Sequence, residues 1–128
     1  MLSELSPIAT LPTADLARAR GYYEETLGLK PQRDGMGGVS YECGNGTVFV
    51  YESEYAGTNK ATAVTFEVPM SSFDNEVGAL RDKGVSFLTF DAEGVEWNDG
   101  VASMGDAMKA VWFTDPDGNI LNISAGEM

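Results

Sequence analysis

A chain of 128 residues with 8 Lys and Arg, 20 Asp and Glu and no histidine carries a formal charge of −12. Without histidine, no Ser-His-Asp triad, Cys-His dyad, His-containing zinc site or His-carboxylate facial triad can be assembled from this chain alone. Such an acidic chain also repels phosphate backbones and anionic membrane surfaces, so neither nucleic acid nor membrane is an expected partner.

A hydrophobic fraction of 43% supports a packed core, and no apolar run approaches a membrane span. The opening Met1-Leu2-Ser3-Glu4-Leu5 lacks a basic, apolar leader pattern. Cys43 is the single cysteine, so no intrachain disulfide is available and a cytoplasmic location is expected.

In chain order, Ile8 to Leu11 reads as a short strand ending at Pro12. Thr13 or Asp15 can cap a helix whose apolar positions Leu16, Ala19, Tyr23 and Leu27 form one stripe. Gly28 follows, where a helix end favours a residue tolerant of positive φ. A strand is expected over 29–34. Val39 to Cys43 and Thr47 to Glu52 are strands joined by Gly44-Asn45-Gly46, a hairpin signal.

The plan then recurs. Ala63 to Val68 is a strand ending at Pro69, and Ser71 or Ser72 can cap a helix carrying Phe73, Val77 and Leu80 before Gly84. Val85 to Phe90 is expected as a strand, and Ala110 to Thr114 pairs with Asn119 to Ser124 across Asp115-Pro116-Asp117-Gly118. Pro12 matches Pro69, Gly28 matches Gly84 and Gly46 matches Gly118, at offsets of 57, 56 and 72, so the second half carries an insertion. That insertion, Asp91 to Lys109, is expected as an irregular loop, either a functional lid carrying Trp97 or a solvated surface segment. Each half reads β-α-β-β-β, with module one at about 6–55 and module two at about 61–126 of a single domain.

The stretch Leu-Pro-x-x-Asp-Leu-x-x-Ala-x-x-Tyr-Tyr-x-x-x-Leu-Gly-Leu, from Leu11 to Leu29, resembles the opening motif of the vicinal oxygen chelate superfamily. Phe-Thr-Asp-Pro-Asp-Gly-Asn-Ile-Leu, from Phe113 to Leu121, resembles its closing motif. That superfamily includes lactoylglutathione lyases, extradiol dioxygenases, fosfomycin-modifying enzymes and bleomycin-binding resistance proteins. The resemblance implies an α+β fold in which two βαβββ modules form an open, U-shaped, barrel-like cup with helices outside. It also implies a homodimer, by edge pairing or swapping.

Metal-dependent members of this superfamily place ligands on the first and last strand of each module. Carried over one position at a time, those places hold Ile8, Tyr51 (Glu52 on a shift of one residue), Ala63 and Asn122. Isoleucine and alanine have no donor atom, so the resemblance implies a member without the usual metal centre, and no cofactor is expected.

With those positions facing the cup, strand alternation adds Thr10, Phe49, Thr65 and Glu67 to Ile8, Tyr51, Ala63 and Asn122 as candidate ligand-binding residues. Trp97 joins them if its loop closes over the cup, and Trp112 is weighed alongside as a core or ligand-facing aromatic. Glu67 is the sole candidate for catalysis, since a carboxylate on a half-buried strand can receive a ligand cation, act as a general base, or simply lie in solvent. Arg18 and Arg20 are expected to have solvated ends, and Cys43 to be an inert strand residue.

Whether the chain is an enzyme stays open, the missing histidine weighing against it. The leading expectation is a metal-independent binder of a small organic, cationic ligand, similar to the antibiotic-sequestering branch. The alternatives are a lyase, isomerase or dioxygenase with an atypical site, and a non-catalytic protein-interaction module.

Overall fold

The computed structural model describes residues 1–126. The chain is α+β with two open sheets, and it divides into two compact units. No helix among the described residues is long and apolar enough to cross a membrane.

The first unit comprises Met1–Ala63 together with Asp115–Asn119. Its strands are β1 (Ala9–Thr13), β2 (Lys30–Gly35), β3 (Gly38–Cys43) and β4 (Gly46–Glu52), in the spatial order β1-β4-β3-β2. β1 does not stop at Pro12 but continues to Thr13. It lies at the edge of this four-stranded sheet, where a missing N–H removes no ladder bond. The expected hairpin forms with Cys43 opposite Gly46, leaving Gly44 (φ +55°) and Asn45 as a two-residue turn.

Asp15 caps α1 (Leu16–Gly21), its carboxylate accepting the Arg18 N–H at 3.1 Å. The helix passes directly into a π-helical turn, Tyr22–Thr26, and the chain leaves through Gly28 at φ +75°. Ala19 and Tyr23 are buried, as are Leu11, Val39, Tyr41, Val48 and Val50 from one face of the sheet. Burying each such Leu or Val contributes roughly 1.5–3 kcal/mol.

The second unit comprises Val64–Thr114 and the described residues from Ile120. Its sheet runs β5-β9-β8-β7-β6, built from β5 (Thr62–Glu67), β6 (Glu96–Asn98), β7 (Val101–Met104), β8 (Met108–Thr114) and β9 (Ile120–Gly126). Between β5 and β6 lies α2 (Met70–Asp82), which buries Phe73, Val77 and Leu80 as its periodicity requires. Neither Ser71 nor Ser72 caps it. The helix begins ahead of both, with Pro69 in extended geometry at the cap position.

Two further expectations need correction. Val85 to Phe90 is not a strand: only Leu88 forms a bridge, to Trp112. The place beside β8 is taken instead by β7, antiparallel, with Ala102 opposite Ala110. Nor is 91–109 an irregular loop, since it carries β6, β7 and the start of β8. The second half therefore has the order of the first plus one short outer strand, β6.

Candidate functional site

Strand alternation in the first unit leaves one sheet face apolar and uncommitted to the helix. Phe49 and Tyr51, two residues apart on β4, project together and stack with centroids 5.9 Å apart and planes inclined by 7°. Their room comes from Gly38, which pairs with Tyr51. A Cβ there would meet Phe49 Cζ at 2.8 Å and Tyr51 Cβ at 2.9 Å, and would also collide with the Val50 carbonyl. Thr10 is the partner of Phe49 across β1, and its hydroxyl donates to the Ile8 carbonyl at 3.2 Å. Ile8 is 55% exposed. Four of the expected residues, Ile8, Thr10, Phe49 and Tyr51, are thus brought together.

In the second unit a different group gathers. Trp97 on β6 faces Ala102 on β7, and Ala102 faces Ala110 on β8, two positions before Trp112, so the strand between the two tryptophans presents only a small buried side chain beside Trp97 and leaves a gap. Across that gap the indoles approach to 6.0 Å between centroids. Phe90 fits edge-on against both, at 5.1 Å to Trp97 and 4.9 Å to Trp112. The Phe90 ring remains 48% exposed.

Sequence reasoning included Trp97, weighed Trp112 and missed Phe90, which it had assigned to a strand. The segment that carries Trp97 is acidic in sequence: Asp91, Glu93, Glu96, Asp99 and Asp106 fall in a stretch without Lys or Arg until Lys109, and Asp99 is paired with Arg81 from outside it.

The remaining expected residues are dispersed. Ala63 is half-buried near the start of β5, and Thr65 and Glu67 are exposed farther along that strand. Asn122, opposite Trp112, is buried, and its amide is engaged within the sheet. Nδ2 donates to the Val111 carbonyl at 3.0 Å, and Oδ1 accepts the Ser124 hydroxyl at 2.7 Å. A shallow depression of about 570 Å³ lies between Gly28–Gln32 and Glu42–Gly44, lined by none of the expected residues. It contains Cys43, whose thiol burial pushes toward the protonated, unreactive form.

Sequence reasoning also left unseen a buried polar cluster in the first unit, made by the turn Asp115–Asn119. Asp117 Oδ2 accepts the Thr13 hydroxyl at 2.6 Å, and Oδ1 accepts the Ala14 N–H at 2.8 Å and Arg18 Nη2 at 2.8 Å. Asp115 accepts from Tyr23 Oη at 2.7 Å, Asn119 Nδ2 at 2.8 Å and the backbone N–H groups of Asp117 and Asn119. Asn119 Nδ2 also donates to the Pro12 carbonyl at 2.9 Å.

Burial, reinforced by the Asp115 charge, pushes the Tyr23 hydroxyl far above its ordinary range. The same two causes push Tyr22 up to about 12. Arg18 is therefore paired rather than merely solvated. So is Arg20, which holds Glu24 at 2.7 Å and Asp34 at 3.2 Å. The Arg20 hydrogen bond draws Glu24 below the usual carboxylate range, while burial and the bond to Glu24 raise Tyr41.

The model of the Glyoxalase/Bleomycin resistance protein/Dioxygenase superfamily matches residues 5–123, and the chain belongs to that family. Solved structures with the same fold include a glyoxalase/bleomycin resistance protein/dioxygenase from Alicyclobacillus acidocaldarius, with 15% identity and a TM-score of 0.74, covering 97% of this chain and 92% of that one. The fosfomycin resistance protein FosX from Listeria monocytogenes, in its hexagonal form, has 16% identity and a TM-score of 0.73, covering 100% and 97%. An integron cassette protein from the Halifax Harbour sewage outfall metagenome has 21% identity and a TM-score of 0.68, covering 95% and 98%. No curated protein matches the sequence.

The metal centre that the resemblance implies for some members does not fit these residues. Ile8 and Ala63 carry no donor, Tyr51 is stacked on Phe49, and both ends of the Asn122 amide are hydrogen-bonded. Among the described residues, no three Asp, Glu or Cys side chains gather as a metal site.

Proposed function

We propose that this protein binds a small, planar, cationic organic molecule and holds it without a metal and without transforming it. The observation that carries this reading is the three-ring group of Phe90, Trp97 and Trp112, partly open to solvent beside a run of carboxylates. Aromatic faces attract cations and flat rings, and an acidic surround raises the local concentration of positive ligands. The second aromatic pair, Phe49 and Tyr51 with Ile8 and Thr10, is of the same character. Thr65 and Glu67, exposed on β5 of the second unit, are further candidate contacts in this reading, with Glu67 as a counter-charge. The fosfomycin resistance proteins among the structural relatives are consistent with a role toward an antibiotic-like compound. A cytoplasmic homodimer is the form in which we expect the protein to work.

Titration of intrinsic tryptophan fluorescence with a panel of basic, neutral and acidic aromatic natural products tests this. Saturable quenching by basic members, with a raised melting temperature, is expected. No saturable response across the panel overturns it, and turnover of a bound compound would replace binding with catalysis.

A further inference from the structure

The ring of Trp97 sits on the shortest strand of the second unit. β6 has three residues, lies at the sheet edge and, among the described residues, pairs only with β7, through Glu96–Ser103, Trp97–Ala102 and Asn98–Val101. Three residue pairs at an edge are a weak hold on a side chain whose position matters. The turn that joins β6 to β7 is Asp99-Gly100, with φ of +52° and +82°, and it is fastened from outside the sheet.

Arg81, in the last turn of α2, donates Nη2 to the Asp99 carbonyl and sets Nη1 3.3 Å from Asp99 Oδ2. Its guanidinium carbon lies 5.4 Å from the centroid of Phe87. Phe87 in turn supports the turn from beneath: a Cβ on Gly100 would meet Phe87 Cβ at 3.1 Å. Phe87 is itself set edge-on against the buried Phe113, at 6.2 Å.

We infer that Arg81 is a positioning residue for Trp97. The forked guanidinium grips both the carbonyl and the carboxylate of Asp99 while lying on a ring anchored in the core. It thereby fixes the end of the β6–β7 hairpin, and with it the Trp97 indole two residues away. This rests on the reading of Phe90, Trp97 and Trp112 as the ligand platform, and it assigns the control of that platform's geometry to a helix residue outside the three rings. A lysine supplies the charge but not the two-pronged grip, so the function depends on the guanidinium shape. The ion pair is largely exposed, and its electrostatic part is correspondingly modest.

The test begins with ligand-free protein. Two indoles at 6.0 Å couple their electronic transitions, which gives an exciton couplet in the far-ultraviolet circular dichroism. Trp97→Phe defines the spectrum without it. Arg81→Ala is expected to lose at least half of that couplet and to make one tryptophan more accessible to acrylamide. Arg81→Lys should recover only part of it, and Asp99→Asn, which keeps the carbonyl, should be intermediate.

For a basic aromatic compound that quenches the wild type, affinity should fall roughly fivefold in Arg81→Ala. The melting temperature should fall by only a few degrees. An unchanged couplet and unchanged quenching in folded Arg81→Ala overturn the inference, as do equal spectra for the lysine variant and wild type. If Arg81→Ala does not fold, the Asp99→Asn and Arg81→Lys spectra decide in the same way. Absence of any binding compound would sink the functional reading while leaving the spectroscopic result to judge the clasp.

Discussion

Arg18 and Asp117, separated by 99 positions in the chain, meet with Nη2 2.8 Å from Oδ1. The arginine side chain is half-exposed, but the aspartate side chain is only 2% exposed and also accepts from Thr13 and Ala14. The two ends of the pair therefore differ in worth. Asp117→Ala leaves buried donors without an acceptor and should lower the unfolding free energy by about 2–4 kcal/mol. Arg18→Ala, screened by solvent, should cost under about 1 kcal/mol. Urea denaturation of both variants checks the order, and equal losses would contradict it.

The contribution of the buried tyrosines to stability should be level below pH 10 and decline above it. Tyr22, pushed up to about 12 by burial and the Asp115 charge, keeps its proton where an unfolded tyrosine with a value near 10 releases it. Tyr23 and Tyr41 are raised as well, burial being the first cause of each. The native state then binds more protons than the unfolded chain above pH 10, so its advantage is full below that value and is lost as pH rises through the folded values. Urea midpoints measured on both sides of that pH report the slope, and Tyr23→Phe should reduce it. A midpoint that stays level in alkali would refute this.

Gly38→Ala should be costly although the position is on a sheet. The added methyl group meets the Val50 carbonyl, which cannot move without breaking the ladder, and Phe49 Cζ at 2.8 Å. A loss of about 1–3 kcal/mol is expected from overpacking, together with a weaker near-ultraviolet dichroism from the Phe49–Tyr51 stack. A melting temperature equal to that of wild type would show that the sheet relaxes freely.

Phe90→Ala separates binding from folding. Because the ring is 48% exposed, its removal strips little core contact. It does remove one of the three rings of the proposed platform, so affinity for a basic aromatic ligand should drop about tenfold or more, with a small thermal shift. Glu67→Gln should weaken cationic ligands and leave neutral analogues unchanged. Calorimetric titration distinguishes these effects, and equal losses for cationic and neutral ligands would deny Glu67 its counter-charge role.

Much of the architecture was legible because its signals are local. Leu16, Ala19, Tyr23 and Leu27 mark a helix by spacing alone, and Gly44-Asn45 marks a hairpin by the backbone it permits. What failed depended on position in space. Val85, Phe87 and Phe90 carry the apolar content of a strand, yet β7 occupies most of the adjacent edge of β8, leaving Leu88 a single bridge. Glu96-Trp97-Asn98 is too short and polar to announce itself, although Asp99-Gly100 after it is a hairpin signal that could have revealed the pair. In the first unit, alternation puts Phe49 and Tyr51 on one sheet face, where they stack. It could not supply the partners of Trp97, which lie on an irregular segment and on a different strand.

The membership of Asp115–Asn119 in the first unit has a consequence for the order of events during synthesis. When residues 1–63 have left the ribosome, every strand of the β1–β4 sheet and helix α1 are available, but Thr13, Ala14 and Tyr23 still lack the carboxylates that satisfy them. Those groups arrive only after the Val64–Thr114 part of the other unit has been made. The half of the chain that is born first is thus completed late, and a gene cut between the two halves would encode a first product missing its own final part.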